Sequence, residues 1–194
     1  AVDYYKKAAA KSHASVQSSQ KMVLHKLQVK DSGLMGGFIN MVEPVINTAI
    51  QNNEITFEGV TGGYNKLQAS DAKTAKAYRE GKYIIIEMTM VEQTDGIYGN
   101  ANEGTVGHAI SVVGNISVVT EQFPAFNIDF ENSDIKINYT KPTVRVKINE
   151  NGIIEKGTWS HYSKVDIKNL VINNMKISSA NAEIEYVIKT GGGF

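Results

Sequence analysis

The sequence predicts an α+β domain: N-terminal helices packed on a twisted, mainly antiparallel β-sheet that ends in a C-terminal strand meander. Three observations predict it. Helical apolar spacings are concentrated in the first part of the chain. The segment Tyr83–Val91 (Y-I-I-I-E-M-T-M-V) is apolar on both faces of a strand. Beyond Pro124 apolar and polar residues alternate throughout. Strands and helices do not take turns along the chain, so a doubly wound parallel sheet is excluded.

The elements follow in order. Asp3 is placed to cap a helix from Tyr4 to about Leu27, with a thin stripe at Tyr5, Ala9, Val16, Val23 and Leu27. Ser32-Gly33 and Gly36-Gly37 break it. A second helix covers Phe38 to Gln51 on a broader face of Phe38, Val42, Val45, Ile46, Ala49 and Ile50, kinked or restarted at Pro44. Glu54–Val60 reads as a strand, and Asp71–Tyr78 as a short helix capped by Ser70 and stopped at Gly81. Tyr83–Val91 is the interior strand, placed centrally beneath the helices, with Ile84 and Ile86 most buried. Thr94–Gly107 reads as a Gly-rich loop. His108–Phe123 reads as helical from Ile110, Val113 and Ser117, although its valines suit strands.

Asn127–Tyr139 alternates Ile128, Phe130, Ile135, Ile137 and Tyr139 against polar residues. Asn151-Gly152 marks a type I′ hairpin joining Val144–Ile148 to Ile153–Trp159. Val165–Val171 and Lys176–Ile188 form a further pair with one wet face. The whole, residues 1–194, is one domain: a helical part over 1–51, mainly strands over 52–190, and a flexible tail at 191–194.

Composition sets limits on function. At 194 residues the chain buries roughly 70% of its unfolded surface, so the fold needs no metal or disulfide staple. Lysine plus arginine and aspartate plus glutamate both total 20, which argues against nucleic acid and against a polybasic membrane surface as partners. No stretch approaches the length of a membrane span, so no integral membrane segment is expected. With no cysteine there is no thiol catalysis, iron–sulfur cluster or thiolate zinc site. A cysteine-free chain that begins at Ala1 also fits a secreted or cell-surface protein whose signal peptide has been removed.

Two stretches carry a resemblance. One is Tyr98-Gly99 with Glu103-Gly104-Thr105-Val106-Gly107-His108-Ala109-Ile110. The other is Asn151-Gly152-Ile153-Ile154-Glu155-Lys156-Gly157-Thr158-Trp159. With Asp3-Tyr4-Tyr5-Lys6-Lys7 they resemble an uncharacterised family of secreted or surface proteins of Gram-positive gut bacteria. That resemblance implies an extracytoplasmic setting and carries no catalytic residue with it. The order of elements is also similar to tubular lipid-binding folds, in which a curved sheet wraps a helix.

His13 and His25 lie too far apart on one helix to share a metal, for which i,i+4 spacing is needed. His161, in Trp159-Ser160-His161-Tyr162, reads as a stacked surface residue. His108 has Asp95, Tyr98 and Glu103 near it in sequence. It reads as a loop-pinning residue bonded to backbone groups of the Gly96–Gly107 loop, and its rival role is the centre of a hydrolase. Neither Ser111 nor Ser160 lies in a nucleophile elbow. Gly96, Gly99, Gly104 and Gly107 match no phosphate-loop spacing. Asp129–Asp134 lacks the glycine and glutamate of a calcium hand. Glu183/Glu185 and Glu87/Glu92 read as strand decoration more than as glycosidase pairs.

The expectation is therefore a non-catalytic extracytoplasmic bacterial domain binding an apolar small molecule or lipid, with no cofactor and no metal. Trp159 and Tyr162 would offer a stacking platform, and Met88 and Met90 an adaptable lining alongside Met35 and Met41. The alternatives are the His108-centred hydrolase and a structural or adhesive surface module.

Overall fold

The computed structural model describes residues 1–30, 54–116, 127–130, 132–172 and 174–194. The helix expected over Phe38–Gln51, Met35 and Met41, and the end of the His108–Phe123 segment lie outside these residues.

A single helix, α1 (Val2–Ser12), opens the chain and stops a full fifteen residues short of Leu27. Asp3 lies in its first turn and caps nothing; the capping position is Ala1. From Gln17 to Lys30 the chain is instead a strand, β1. The residues explain the change. Ser18, Gln20, Met22 and Leu24 repeat every second position, and serines compete with helix hydrogen bonds. Pairing with the last strand from Ser18–Thr190 to Lys30–Ser179 then outweighs a thin helical stripe.

The remaining elements are β2 (Ile55–Glu58), a 3₁₀ turn at Ala69–Asp71, β3 (Ala72–Glu80), β4 (Tyr83–Met90), β5 (Gln93–Asp95), α2 (Gly104–Ala109), β6 (Ile128–Asp129), β7 (Asp134–Ile148), β8 (Ile154–Ile172) and β9 (Met175–Thr190). They form one open antiparallel sheet in the order β2-β1-β9-β8-β7-β4-β3; β5 extends β7 and β6 extends β8. Among the described residues the fold is thus mainly β, with strands at Gln17–Lys30 and Ala72–Glu80 where the sequence led one to expect helix. The helix expected over Asp71–Tyr78 is edge strand β3, and the cap ascribed to Ser70 is a reciprocal bond of Gln68 with Asp71.

β4 lies between β3 and β7, so it is interior but next to the edge and not central. Ile85 and Ile86 are fully buried on opposite faces, while Ile84 is only half-buried. Asn151-Gly152 does form the β7–β8 hairpin tip. Of the two, Gly152 alone has positive φ (76°), and Asn149 N–H bonds the Ile153 carbonyl at 2.9 Å, so the turn is a longer loop and not type I′. β8 runs unbroken through the two strands expected at Ile153–Trp159 and Val165–Val171. The tail is held: Phe194 N–H donates to Thr158 Oγ1 at 3.0 Å, and its ring lies 4.3 Å from the Arg145 guanidinium.

The register divides the sheet into two faces. On the inner face α1 packs through Tyr5, Ala8, Ala9 and Ser12. Beneath it lie Ile86 and Met88 of β4, Val144, Val146 and Ile148 of β7, Ile154 and Trp159 of β8, and Ile188 of β9. Ser12 Oγ accepts the Ile154 N–H at 2.8 Å, tying the helix end to the start of β8. On the outer face, rows such as Lys26–Glu183–Lys164–Asn138 and Gln28–Asn181–Asp166–Lys136 meet water.

Candidate functional site

The four residues expected to meet a ligand do not come together. Trp159 is fully buried under α1 and donates its indole N–H to Tyr5 Oη at 2.8 Å. Met88 and Met90 are buried in the same core. Tyr162 has the opposite strand parity and lies on the outer face, beside the His25 ring and under Lys141 Nζ at 5.3 Å. The platform is therefore itself divided: Trp159 shares the inner core with Met88 and Met90, and only Tyr162 lies on the other side of the sheet.

His108 also differs from expectation. It does not begin a helix; it is the penultimate residue of α2, whose N-terminal flank is Glu103. Its Nδ1 bonds Asp71 Oδ2 at 2.9 Å, and its Nε2 stands 3.6 Å from Glu103 Oε2. It binds a carboxylate on another segment, not the backbone of the Gly96–Gly107 loop. Asp71 is held in turn by the Gln68 N–H at 2.8 Å. Lys66 bonds the far side of Glu103 and holds that carboxyl below its ordinary range. The row Asp71–His108–Glu103–Lys66 thus clamps α2 onto the turn before β3.

The loop does have a polar pin, and it is Gln93. Its Oε1 accepts the Val106 and Gly107 N–H groups at 2.9 and 3.2 Å, in the first turn of α2. Its Nε2 donates to Asp95 at 3.0 Å and to the Glu103 carbonyl at 2.9 Å. A Cβ on Gly104 would fall 2.4 Å from the Gln93 side chain, so this close approach demands glycine. Beside it lies an open depression of about 380 Å³ lined by Glu92, Gln93, Thr94, Asp95, Asn100, Glu103, Gly104 and Thr105.

The chemistry open to His108 follows from its neighbours. An Asp on Nδ1 orients an imidazole as in a hydrolytic triad, but Nε2 then has to meet a hydroxyl. Here it meets the carboxylate Glu103. The hydroxyls of Thr105 and Ser111 donate to the carbonyls of Val91 and Ala101, at 2.7 and 3.1 Å. Among the described residues no group of three or more His, Asp or Glu side chains is arranged to hold a metal ion.

Sequence reasoning missed the buried polar group around His161. This residue is stacked, as expected, but it is core and not surface, with 1% exposure. Its ring lies parallel to that of Tyr186 at 4.9 Å and edge-on to Tyr139 at 5.2 Å. Nε2–H donates to the Ser111 carbonyl at 3.1 Å, which leaves Nδ1 to accept from Ser163 Oγ at 3.4 Å. Burial drives its pKa down to about 4 from 6.5, with the Ser111 carbonyl pulling weakly the other way. The signal was available: Trp159, His161 and Ser163 share a parity, so the parity that buries Trp159 buries His161 too.

Farther along the same face the side chains are apolar and only partly covered. Three cross-strand rows run Leu24–Ile184–Ser163–Tyr139, Leu27–Ala182–Val165–Ile137 and Val29–Ala180–Ile167–Ile135. The β7 members are buried, whereas those on β1 and β9, with Val165 and Ile167, are half-buried. Ala180 and Ala182 are small residues between larger neighbours; Val165 packs against the main core, and Val29, Ile167 and Ala180 pack against a second cluster of Leu170 and Ile177. Comparison with protein-family models, with curated proteins and with solved structures finds no match for this chain.

Proposed function

We propose that this chain is a non-catalytic binding module for an apolar small molecule or lipid, held against the far half of the inner sheet face. The observation that carries the reading is the half-buried apolar surface of Ala180 and Ala182 between Leu27 and Val29 on one side and Val165 and Ile167 on the other. Apolar surface of this kind, continuous across neighbouring strands, gains free energy when water leaves it. The ligand surface is thereby moved away from Trp159, Met88 and Met90, which fill the core. An extracytoplasmic, secreted or cell-surface setting is supported by the absence of cysteine and by the resemblance of the two sequence stretches above. Among the described residues no helix is long and apolar enough to cross a membrane.

The test is titration of the full chain with anilinonaphthalene sulfonate, followed by displacement with palmitate. Saturable probe binding reversed by palmitate is expected. Ala182→Glu should weaken it about tenfold or more, because the new carboxylate must be dehydrated beneath the ligand. Absence of saturable binding, or an Ala182→Glu variant that binds as well as the parent, would remove the reading. A second reading, a hydrolase centred on His108, is favoured by the Asp71–His108 bond alone. Turnover of a short-chain ester that disappears in His108→Gln would put it first. A structural or adhesive surface module remains the third reading, favoured by no particular contact.

A further inference from the structure

We propose that the exposed edge strand β3 pairs antiparallel with β3 of a second copy of this chain, about a two-fold axis at Tyr78, so that two sheets join into one. The inference is independent of the ligand reading, because it rests on the edge of the sheet and not on its inner face.

β3 lies outermost, beyond β4, and among the described residues no strand pairs with its other side. Every residue from Lys73 to Glu80 is exposed, on both faces alike. The register shows which backbone groups are open. Gly81 and Lys82 form a two-residue turn between Glu80 and Tyr83, with Gly81 at φ 59°. Such a turn is closed by a hydrogen-bonded pair, and bonded and unbonded pairs alternate away from it. Glu80, Tyr78, Lys76 and Thr74 therefore bond β4 with their main chains, and Arg79, Ala77 and Ala75 turn their N–H and C=O groups outward. A regular row of this kind, without proline, is a template for strand addition.

The side chains choose the occupant and the register. A two-fold axis normal to the sheet opposes only residues of like parity, because both copies keep the same face up. With the axis at Lys76 or Arg79 that cation meets itself. With the axis at Ala75 or Ala77 no opposite charges meet. With the axis at Tyr78 the partner's Glu80 stands opposite Lys76, and the partner's Lys76 stands opposite Glu80. Main-chain bonds then join Ala77 to the partner's Arg79, and Arg79 to the partner's Ala77. Lys76, Tyr78 and Glu80 fall in the unbonded pairs, where facing side chains approach most closely.

The groups are placed for this. The Tyr78 ring is 41% exposed, and its hydroxyl donates to Glu87 at 3.0 Å, which holds it on the outer face beside its symmetry mate. Glu87, across β4 from Lys76, is already bonded by Arg145 at 3.1 Å. The Glu80 carboxylate is 62% exposed, and its own cation, Lys147, stands 3.8 Å away. The bulge at Lys73 and the turn at Ala69–Asp71 fall past the end of the facing strand. Pairing along one short edge buries less than the roughly 1,600 Å² of a standard interface, so the dimer exchanges with monomer at a dissociation constant of about 100 µM.

Sedimentation equilibrium of the full chain from about 10 µM to about 1 mM reads this. The weight-average mass should rise from 21.2 kDa toward twice that value. Lys76→Glu and Glu80→Lys each set like charges opposite one another twice, and each should raise the dissociation constant about tenfold or more. Mixed in equal amounts, the two variants oppose unlike charges at every such position and should associate at least as well as the parent. Recovery in the mixture also shows that both variants are folded. A parent that stays at the single-chain mass at about 1 mM, association that survives unchanged in either variant alone, or a mixture that stays monomeric overturns the proposal.

Discussion

Trp159→Ala should cost about 3–5 kcal/mol of stability and lower the melting temperature by about 10 °C. The indole is the largest fully buried side chain, and it joins three elements. It packs beneath α1, it is the cross-strand partner of Val144 on β7 and Ile188 on β9, and its N–H meets Tyr5 Oη. Truncation leaves a cavity that α1 can fill only by breaking the bond between Ser12 Oγ and the Ile154 N–H. It also strands the Tyr5 hydroxyl, whose phenol burial already pushes up, at a further cost of about 1–3 kcal/mol. Thermal and urea unfolding measure the loss. Were Trp159 a ligand platform, the variant would bind more weakly and melt like the parent.

That contrast shows where the sequence was legible. Alternation alone placed Ile135, Ile137 and Tyr139 on one face of β7, and Asn151-Gly152 located its hairpin, because both are local consequences of strand geometry. In Gln17–Lys30 an alternation of period two competes with a thin 3.6-residue stripe, and the residues alone do not decide between them. What makes it a strand is β9, about a hundred and fifty or more residues away in sequence. Ala72–Glu80 misled for a similar reason: its alanines and lysines favour helix in isolation, and pairing with β4 overrides them.

The candidate site was less legible than the fold. His108 was singled out by its neighbours in sequence, yet the group that holds it is Asp71, 37 positions earlier. Gln93 has no motif at all; its role exists only because β5 delivers its amide to the open N-terminus of α2. His161 and Ser111 are 50 positions apart. Such long-range pairings leave no local pattern. The parity of a strand does, and reading it strictly would have separated Tyr162 from Trp159 and placed His161 indoors.

Gly157→Val should destabilise the fold by about 3 kcal/mol, and here the sign matters more than the size. By strand preference alone, valine in place of glycine in the first part of β8 would stabilise by up to about 1 kcal/mol. Space reverses this. Residues 157 and 159 share the inner face, and the indole folds back over the glycine. A Cβ at 157 would lie 2.2 Å from Trp159 Cη2 and 2.3 Å from Cζ3. The ring cannot swing away without breaking its bond to Tyr5 or displacing α1. In the Trp159→Ala background the obstruction is gone, and strand preference should then govern. Gly157→Val is expected to be neutral or stabilising there, giving a coupling of about 3 kcal/mol across the double-mutant cycle. Urea unfolding of the four proteins measures it. Additive effects would show that glycine at 157 serves something other than the seat of the indole.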